Sequence, residues 1–410
     1  MLPNLFIFRE IVLKKNQVVI FMFEGHDELR KKEFPQLMDR VWLSSAAFTP
    51  HAKSVVEAMT QFIDYFHDPT IGKDVQELFD DVNTGTYNGA AKLLKCNPED
   101  ISLIINTAHG LNFPLHGLDW EKGDNVVTSE LEFPTNYLPW KYLSKRKSVE
   151  FRAAKINEKL QISEDEIISL IDDKTKLVSL SLVQFNNGQR VDAKKIAKVA
   201  HENGALVALD AIQAIGGIEV YPKEMDVDFV TAGGPKFLMA PLGIGVCYIS
   251  PRALETIEPP LQGTGNYDFT DQNWMDRNKS YHKGAKRFEN GTVPFYCVAG
   301  LKAALELINS VGIETVAKHN HGLIQQLIEG IVDQGLTTIT PHEPERRGAL
   351  INVRVDEKKD LKKIVEILEE KYRVTVTNRF GGLRFAAQLY NTEKHIQTAL
   401  SSLKEVLAKV

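Results

Sequence analysis

Cysteine is scarce in this 410-residue sequence, and the three present, Cys96, Cys247 and Cys297, are odd in number and far apart. That excludes a disulfide framework and a cysteine-built metal site, and fits buried thiols in a reducing cytoplasm. An excess of charge of one sign is also missing. The 49 Lys and Arg against 54 Asp and Glu leave a net −5, with the signs interleaved. There is accordingly no basic stripe for nucleic acid and no polybasic membrane anchor. The apolar run Gln17 to Phe23 is too short to span a bilayer, lies among Arg9, Lys14 and Lys15, and lacks the layout of a cleaved signal. We read residues 1–32 as an N-terminal arm or edge strand. Internal repeats and low-complexity segments are lacking. What the chain has is apolar content, 43% of residues, enough for about two domains. A small molecule is the default substrate.

The stretch Ala205 to Leu238 organises the rest. Ala205 to Leu209 is a short apolar run that predicts a strand buried on both faces of a parallel sheet, and it ends on Asp210. Asp228 to Ala232 predicts another strand, followed by Gly233, Gly234, Pro235 and Lys236. An acid and an amine at neighbouring strand ends suit pyridoxal phosphate, whose aldehyde needs a lysine and whose ring nitrogen needs a carboxylate. Each residue also has an ordinary reading: Asp210 as a helix N-cap, Lys236 as an exposed turn lysine.

Taken in order, the chain predicts a brief strand at Val41, then a loop Ser44 to Pro50 that either lines a site or is a turn selected for small residues. The strand Ile101 to Ile105 enters a polar turn and then a helix. There the Thr107 hydroxyl and the amides of Ala108 and His109 suit a phosphate, although any strand-to-helix turn looks similar. A strand Asn125 to Ser129 delivers Phe133, whose ring is free to stack on a heterocycle or to pack in a core. Further strands are predicted at Lys147 to Phe151 and Leu177 to Val183, a capping box at Ser163 for a helix to Ile171, and an Asp192 cap for a helix to Gly204. This alternation argues for a mainly parallel sheet with crossover helices. Pro259 to Lys286 reads as a long loop near a site or an interface. A helix Phe295 to Val311 follows, and from Gly312 the pattern is α+β: helices Ile313 to Gln334, Glu357 to Tyr372 and Thr392 to Leu407, with strands Gly348 to Val355 and near Val374 and Leu383.

Five motifs in register then resemble one family. Gly117-Leu118-Asp119-Trp120 with Glu132-Phe133-Pro134, Asp210-Ala211-Ile212-Gln213, Gly233-Gly234-Pro235-Lys236, Glu289-Asn290-Gly291-Thr292, and Leu383-Arg384-Phe385-Ala386 with Tyr390-Asn391 are similar to class V aminotransferases, fold-type I pyridoxal phosphate enzymes. Within that family the chain most resembles the isopenicillin N epimerase-like and cysteine desulfurase-like group. The resemblance runs from about Phe34 to Val410. It implies an α/β fold with a mainly parallel seven-stranded sheet, divided as an arm (1–32), an N-terminal part of the small domain (33–60), a large cofactor domain (61–305) and a small α+β domain (306–410). It also implies a cytoplasmic homodimer with shared sites, acting on an amino acid, with no nucleic acid or membrane partner.

Residue by residue, the resemblance implies that Lys236 forms the internal aldimine and carries the α-proton. Asp210 would pair with the ring nitrogen, Gln213 and Gln184 would face the phenolic oxygen, and Phe133 would stack on the ring. Thr107, Ala108 and His109 would hold the phosphate with Gly291 and Thr292 of the other subunit, and Arg384 would take the substrate carboxylate. Several positions depart from the family. Phe133 stands where desulfurases have histidine, and no cysteine lies between Val374 and Arg384, which argues against desulfurase and selenocysteine lyase chemistry. Glu132 to Asn136 resembles kynureninases, which carry a histidine at the position of Gln213. Gly233 and Pro235 replace a serine and a histidine, Ala108 replaces a hydroxyl residue, and Ala386 and Gln388 replace a small polar residue and a histidine. Transamination is the first expectation, with β-elimination or epimerisation as alternatives. A non-catalytic binding protein on the same fold is disfavoured by the joint presence of Lys236, Asp210, Gln213 and Arg384.

Overall fold

A computed structural model describes residues 23, 25–68 and 75–410. The expected N-terminal arm therefore lies largely outside the described residues. Its last part is a helix, His26–Glu33, and the His26 Nε2 atom is 2.6 Å from the Leu389 carbonyl oxygen.

The strands in chain order are β1 (Val41–Trp42), β2 (Ile101–Ile104), β3 (Asn125–Ser129), β4 (Glu150–Ala154), β5 (Thr175–Ser181), β6 (Leu206–Asp210), β7 (Phe229–Gly233) and β8 (Gly245–Ile249), followed by β9 (Thr337–Thr338), β10 (Leu350–Arg354), β11 (Val374–Thr375), β12 (Thr377–Arg379) and β13 (Gly382–Ala386). Seven of them form one sheet in the order β2-β8-β7-β6-β5-β3-β4. The pairs from β4 through β7 are parallel, whereas β8 runs antiparallel to both β7 and β2. This is the expected α/β architecture, and a period of two explains it. Val178, Val207, Leu209 and Val230 face one hydrophobic core; Leu177, Leu206, Ala208 and Phe229 face another on the opposite side. A sheet covered on both faces needs strands with apolar residues pointing both ways, which Leu177 and Val178 supply in β5, Leu206 to Leu209 in β6, and Phe229 and Val230 in β7.

The C-terminal region builds a four-stranded antiparallel sheet, β12-β13-β10-β9, over its own core of Ile351, Val353, Leu383 and Phe385. β1 pairs in parallel with β11, so the N-terminal Val41 joins this part. The helix Lys53–His67, by contrast, packs on the helix Phe295–Val311. No single helix among the described residues is long and apolar enough to cross a membrane.

Three local expectations shift. The strand expected at Lys147 to Phe151 begins at Glu150, because the preceding helix runs to Lys147 and Ser148 ends it in a left-handed conformation, φ 56°. The helix expected from Glu357 begins at Leu361, where the Asp360 side chain accepts from the Lys362 and Lys363 amides. Ser163 caps its helix through the Asp165 amide, and that helix stops at Ser169.

Candidate active site

Parallel strands end together, and β5, β6 and β7 bring Ser181, Asp210 and Thr231 to neighbouring positions at one edge. Ligands of open α/β sheets bind outside this edge. Asp210 is fully enclosed, and one carboxylate oxygen accepts the Ile212 amide at 3.0 Å. It therefore makes a turn of its own, and no helix follows for it to cap. Burial raises its pKa to about 6, against the pull of the Lys236 charge. Lys236 is partly buried, and desolvation lowers its amine to about 8. The ordinary reading of an exposed turn lysine fails.

Asp210, Lys236, Gln213, Thr107, Phe133 and Ser181 line one pocket. The Phe133 ring is 43% exposed, which sets aside a core role. It meets Phe185 edge-on at 5.1 Å between centroids, and the Lys236 Nζ atom is 5.8 Å from its ring centre. Thr107 Oγ1 accepts the Gly233 amide at 3.0 Å and keeps its own hydrogen to donate. Gln213 Nε2 donates to the Ala46 carbonyl at 3.0 Å, and its Oε1 is buried without a partner.

Arg384, on β13, is 2% exposed. Its Nη1 donates to the Phe185 carbonyl at 2.6 Å and its Nε has no partner. Burial and the charge of Arg379 lower it to about 9, so it remains a cation at neutral pH. A buried cation with open donors is a site for a carboxylate.

Other expected residues are placed differently. The His109 amide donates to its N-cap, Asn106, at 2.9 Å from the side-chain oxygen, and so is not open toward an anion as expected. Gln184 turns its amide away to Glu132 at 2.8 Å, leaving Oε1 unpartnered. Ala108 lines a neighbouring cleft with Asn112 and Thr135. Gly291 and Thr292 lie on the surface and do not line the Lys236 pocket of their own chain. The loop Ser44 to Pro50 does reach the site: the Thr49 amide donates to the Pro235 carbonyl.

Two residues were given no role from sequence. Glu132 is a fully buried carboxylate behind Phe133. It accepts from the Ser181 amide and hydroxyl, Gln184 and Asn136, and so fixes the segment that carries the ring. Gln388 braces the lysine turn, its Nε2 donating to the carbonyls of Gly216 at 3.0 Å and Phe237 at 2.6 Å. One carboxamide with two hydrogens satisfies both carbonyls.

The family model for class-V aminotransferases matches residues 41–403. The chain belongs to this family. A probable cysteine desulfurase of Methanothermobacter thermautotrophicus is 26% identical over 402 residues, covering 92% of this chain and 97% of the relative. Among solved structures, the apo cysteine desulfurase of Thermococcus onnurineus NA1 superposes with a TM-score of 0.83 at 22% identity, covering 94% and 98% of the two chains. A cystine C-S lyase in complex with its product cysteine persulfide superposes with a TM-score of 0.81 at 22% identity, covering 91% and 99%. At such identities these structures establish the fold.

As a class-V aminotransferase family member the protein is a pyridoxal phosphate enzyme, and its pocket fits that group. A desolvated amine for the aldehyde, a strand-end carboxylate, an exposed aromatic face and the unpartnered Gln213 oxygen converge on one cavity. Only a neutral amine attacks an aldehyde. Cofactor uptake by the apoprotein is therefore expected to accelerate with pH up to about 8 and then level off, well short of an ordinary lysine at 10.5. Stopped-flow absorbance across pH checks this, and a rate still climbing at the ordinary lysine value would refute it.

Proposed function

We propose that this protein is a β-eliminating lyase that takes the α-proton from an amino acid held by Arg384 and expels a sulfur-bearing group from its β-carbon. The observation that carries the reading is the convergence of Lys236 and Asp210 in a pocket whose lining includes no thiol. Cys247 lies within β8 and Cys297 in the helix Phe295–Val311. Cys96 follows the helix Val75–Leu94, and burial raises all three thiols. A mechanism in which the enzyme itself takes up sulfur has no acceptor at hand.

When bound, pyridoxal phosphate supplies an aldehyde for the substrate amine and a ring that delocalises the electron pair left at the α-carbon. Arg384 holds the α-carboxylate by two parallel N–H donors. Lys236 Nζ accepts the α-proton and passes it to the departing sulfur. Asp210, ionised above about pH 6, would pair with the ring nitrogen and hold a proton there. Phe133 would offer its face to the ring and has no proton to exchange. With cystine and water the balance is pyruvate, ammonia and cysteine persulfide: the Cβ–S bond breaks with its electron pair on sulfur, and water later replaces nitrogen.

Transamination, the first expectation from the sequence, uses the same residues as far as loss of the α-proton. Elimination is preferred because the relatives carry names of carbon–sulfur chemistry. The discriminating assay supplies cofactor with cystine or β-chloroalanine and no keto acid. Pyruvate and ammonia in equal amounts are the expected products. Turnover that appears only once a keto acid is added would replace elimination with transamination.

A further inference from the structure

The hairpin that carries Arg384 holds a second arginine on the same face. In antiparallel pairs, directly opposed residues project to one side and side chains alternate with a period of two. Arg384 is opposed by Thr377 on β12 and by Asn352 on β10; Arg379, two residues beyond Thr377, is opposed by Gly382. Arg379, Thr377 and Arg384 therefore share a face, and the two arginines are diagonal neighbours, about 7–8 Å apart at their Cα atoms. Gly382, opposite Arg379, is where Asn352 crosses the hairpin: a Cβ at this position would collide with Asn352 Oδ1 and the Val353 carbonyl oxygen.

The turn fixes this arrangement. Phe380 and Gly381, with φ of 52° and 71°, form a two-residue connection of the kind that suits the strand twist. Arg354, also on this face, donates to the Phe380 carbonyl at 2.5 Å and so belongs to the turn. Asn352 Nδ2 bonds the carbonyls of Arg379 and Asn186, both at 2.9 Å, which ties the hairpin to the segment that carries Phe185 at the pocket.

Like charges on a diagonal repel, and a fold keeps them together only if something else benefits. No strand residue on this face is acidic, and no carboxylate acts on Arg384. Between the two arginines, the Thr377 hydroxyl is buried without a partner, as is Arg384 Nε. Both guanidinium charges bear on the Lys236 amine, and Arg384 Nη1 donates to the carbonyl of Phe185, a residue that lines the Lys236 pocket.

We propose that Arg379 binds a second anionic group at the distal end of the substrate, with Thr377 donating to it, while Arg384 holds the α-carboxylate. This rests on the amino-acid reading above and narrows it to substrates with two acidic groups: a dicarboxylic amino acid, or one whose β-substituent ends in a carboxylate or an oxidised sulfur acid. Cystine, whose leaving half carries its own carboxylate, is of this class.

The test uses the cofactor-loaded enzyme and two probes without an α-hydrogen, α-methylaspartate and α-aminoisobutyrate, titrated by the shift of the visible cofactor band. α-Methylaspartate is expected to bind about tenfold or more tightly than α-aminoisobutyrate, the equivalent of one charge-assisted contact. Arg379→Gln is expected to remove that advantage and leave α-aminoisobutyrate unchanged, and Arg379→Lys to restore part of it. Equal affinities in the wild type, or equal weakening of both probes by Arg379→Gln, would overturn the proposal and leave the lyase reading intact. If a Lys236-dependent band is present and neither probe moves it, the amino-acid reading fails, and the proposal with it.

Discussion

Replacing Lys236 with alanine is expected to lower turnover by about 10⁴-fold or more, the upper range for loss of a positioned general base, because the same side chain is also the covalent anchor. The visible band of the lysine-bound cofactor is expected to vanish, leaving the spectrum of the free aldehyde. The variant should not fold less well, and the sign can be worked out. In the folded apoprotein the Lys236 amine titrates near 8, below its ordinary 10.5. Below pH 8 both states carry the proton and the folded state bears the desolvated cation, so the group opposes folding; between 8 and 10.5 the unfolded chain holds more protons and stability rises with pH. At neutral pH the alanine variant loses that penalty, although it leaves a small cavity. Its apo melting temperature is expected to stay within a few degrees of the wild type. Turnover within tenfold of wild type, or a persistent band, would remove the basis of the functional reading.

Much of this site was readable before any coordinates, because its signals are local. Apolar runs that end abruptly on Asp210, or in Gly-Gly-Pro before Lys236, announce strand ends, and alternation of strands with helices places those ends on one edge. The sheet's two antiparallel joints were not readable: β8 is as apolar as its parallel neighbours, and direction leaves no mark on composition. Glu132 and Gln388 were missed for a related reason. Their partners lie 49 and 172 residues away, at Ser181 and Gly216, and nothing local distinguishes a buried brace from a surface polar residue. The direction of Gln184 was hidden likewise, since it is set by Glu132, 52 residues earlier. The His109 amide was in principle visible. Asn106 stands three residues before it, the spacing of an N-cap, and such a cap occupies the amide that a phosphate would otherwise meet.

Arg384→Ala is expected to lower kcat/KM for the amino-acid substrate by about 10²- to 10³-fold. Two charge-assisted hydrogen bonds at the lower end of their range, about 1.5–2 kcal/mol each, total about 3–4 kcal/mol, and each 1.4 kcal/mol is a factor of ten. The loss should fall mainly on KM, because the carboxylate is held before and after the α-proton leaves. Arg384→Lys is expected to recover only part of it, since a single ammonium on a flexible stem does not reproduce the planar fork. The fold should tolerate either change. The β13 ladder with β10 and β12 is made by backbone, and the native guanidinium is a buried cation with Nε unpartnered, which contributes little to the stability of the empty protein. The decisive comparison uses the amine that lacks the α-carboxylate. In the wild type it should bind far more weakly than the parent amino acid, whereas in Arg384→Ala the two should become nearly equal, because the side chain that told them apart is gone. Discrimination that survives the substitution would mean that another residue holds the carboxylate, and Arg379, on the same face of the hairpin, would be the first to examine.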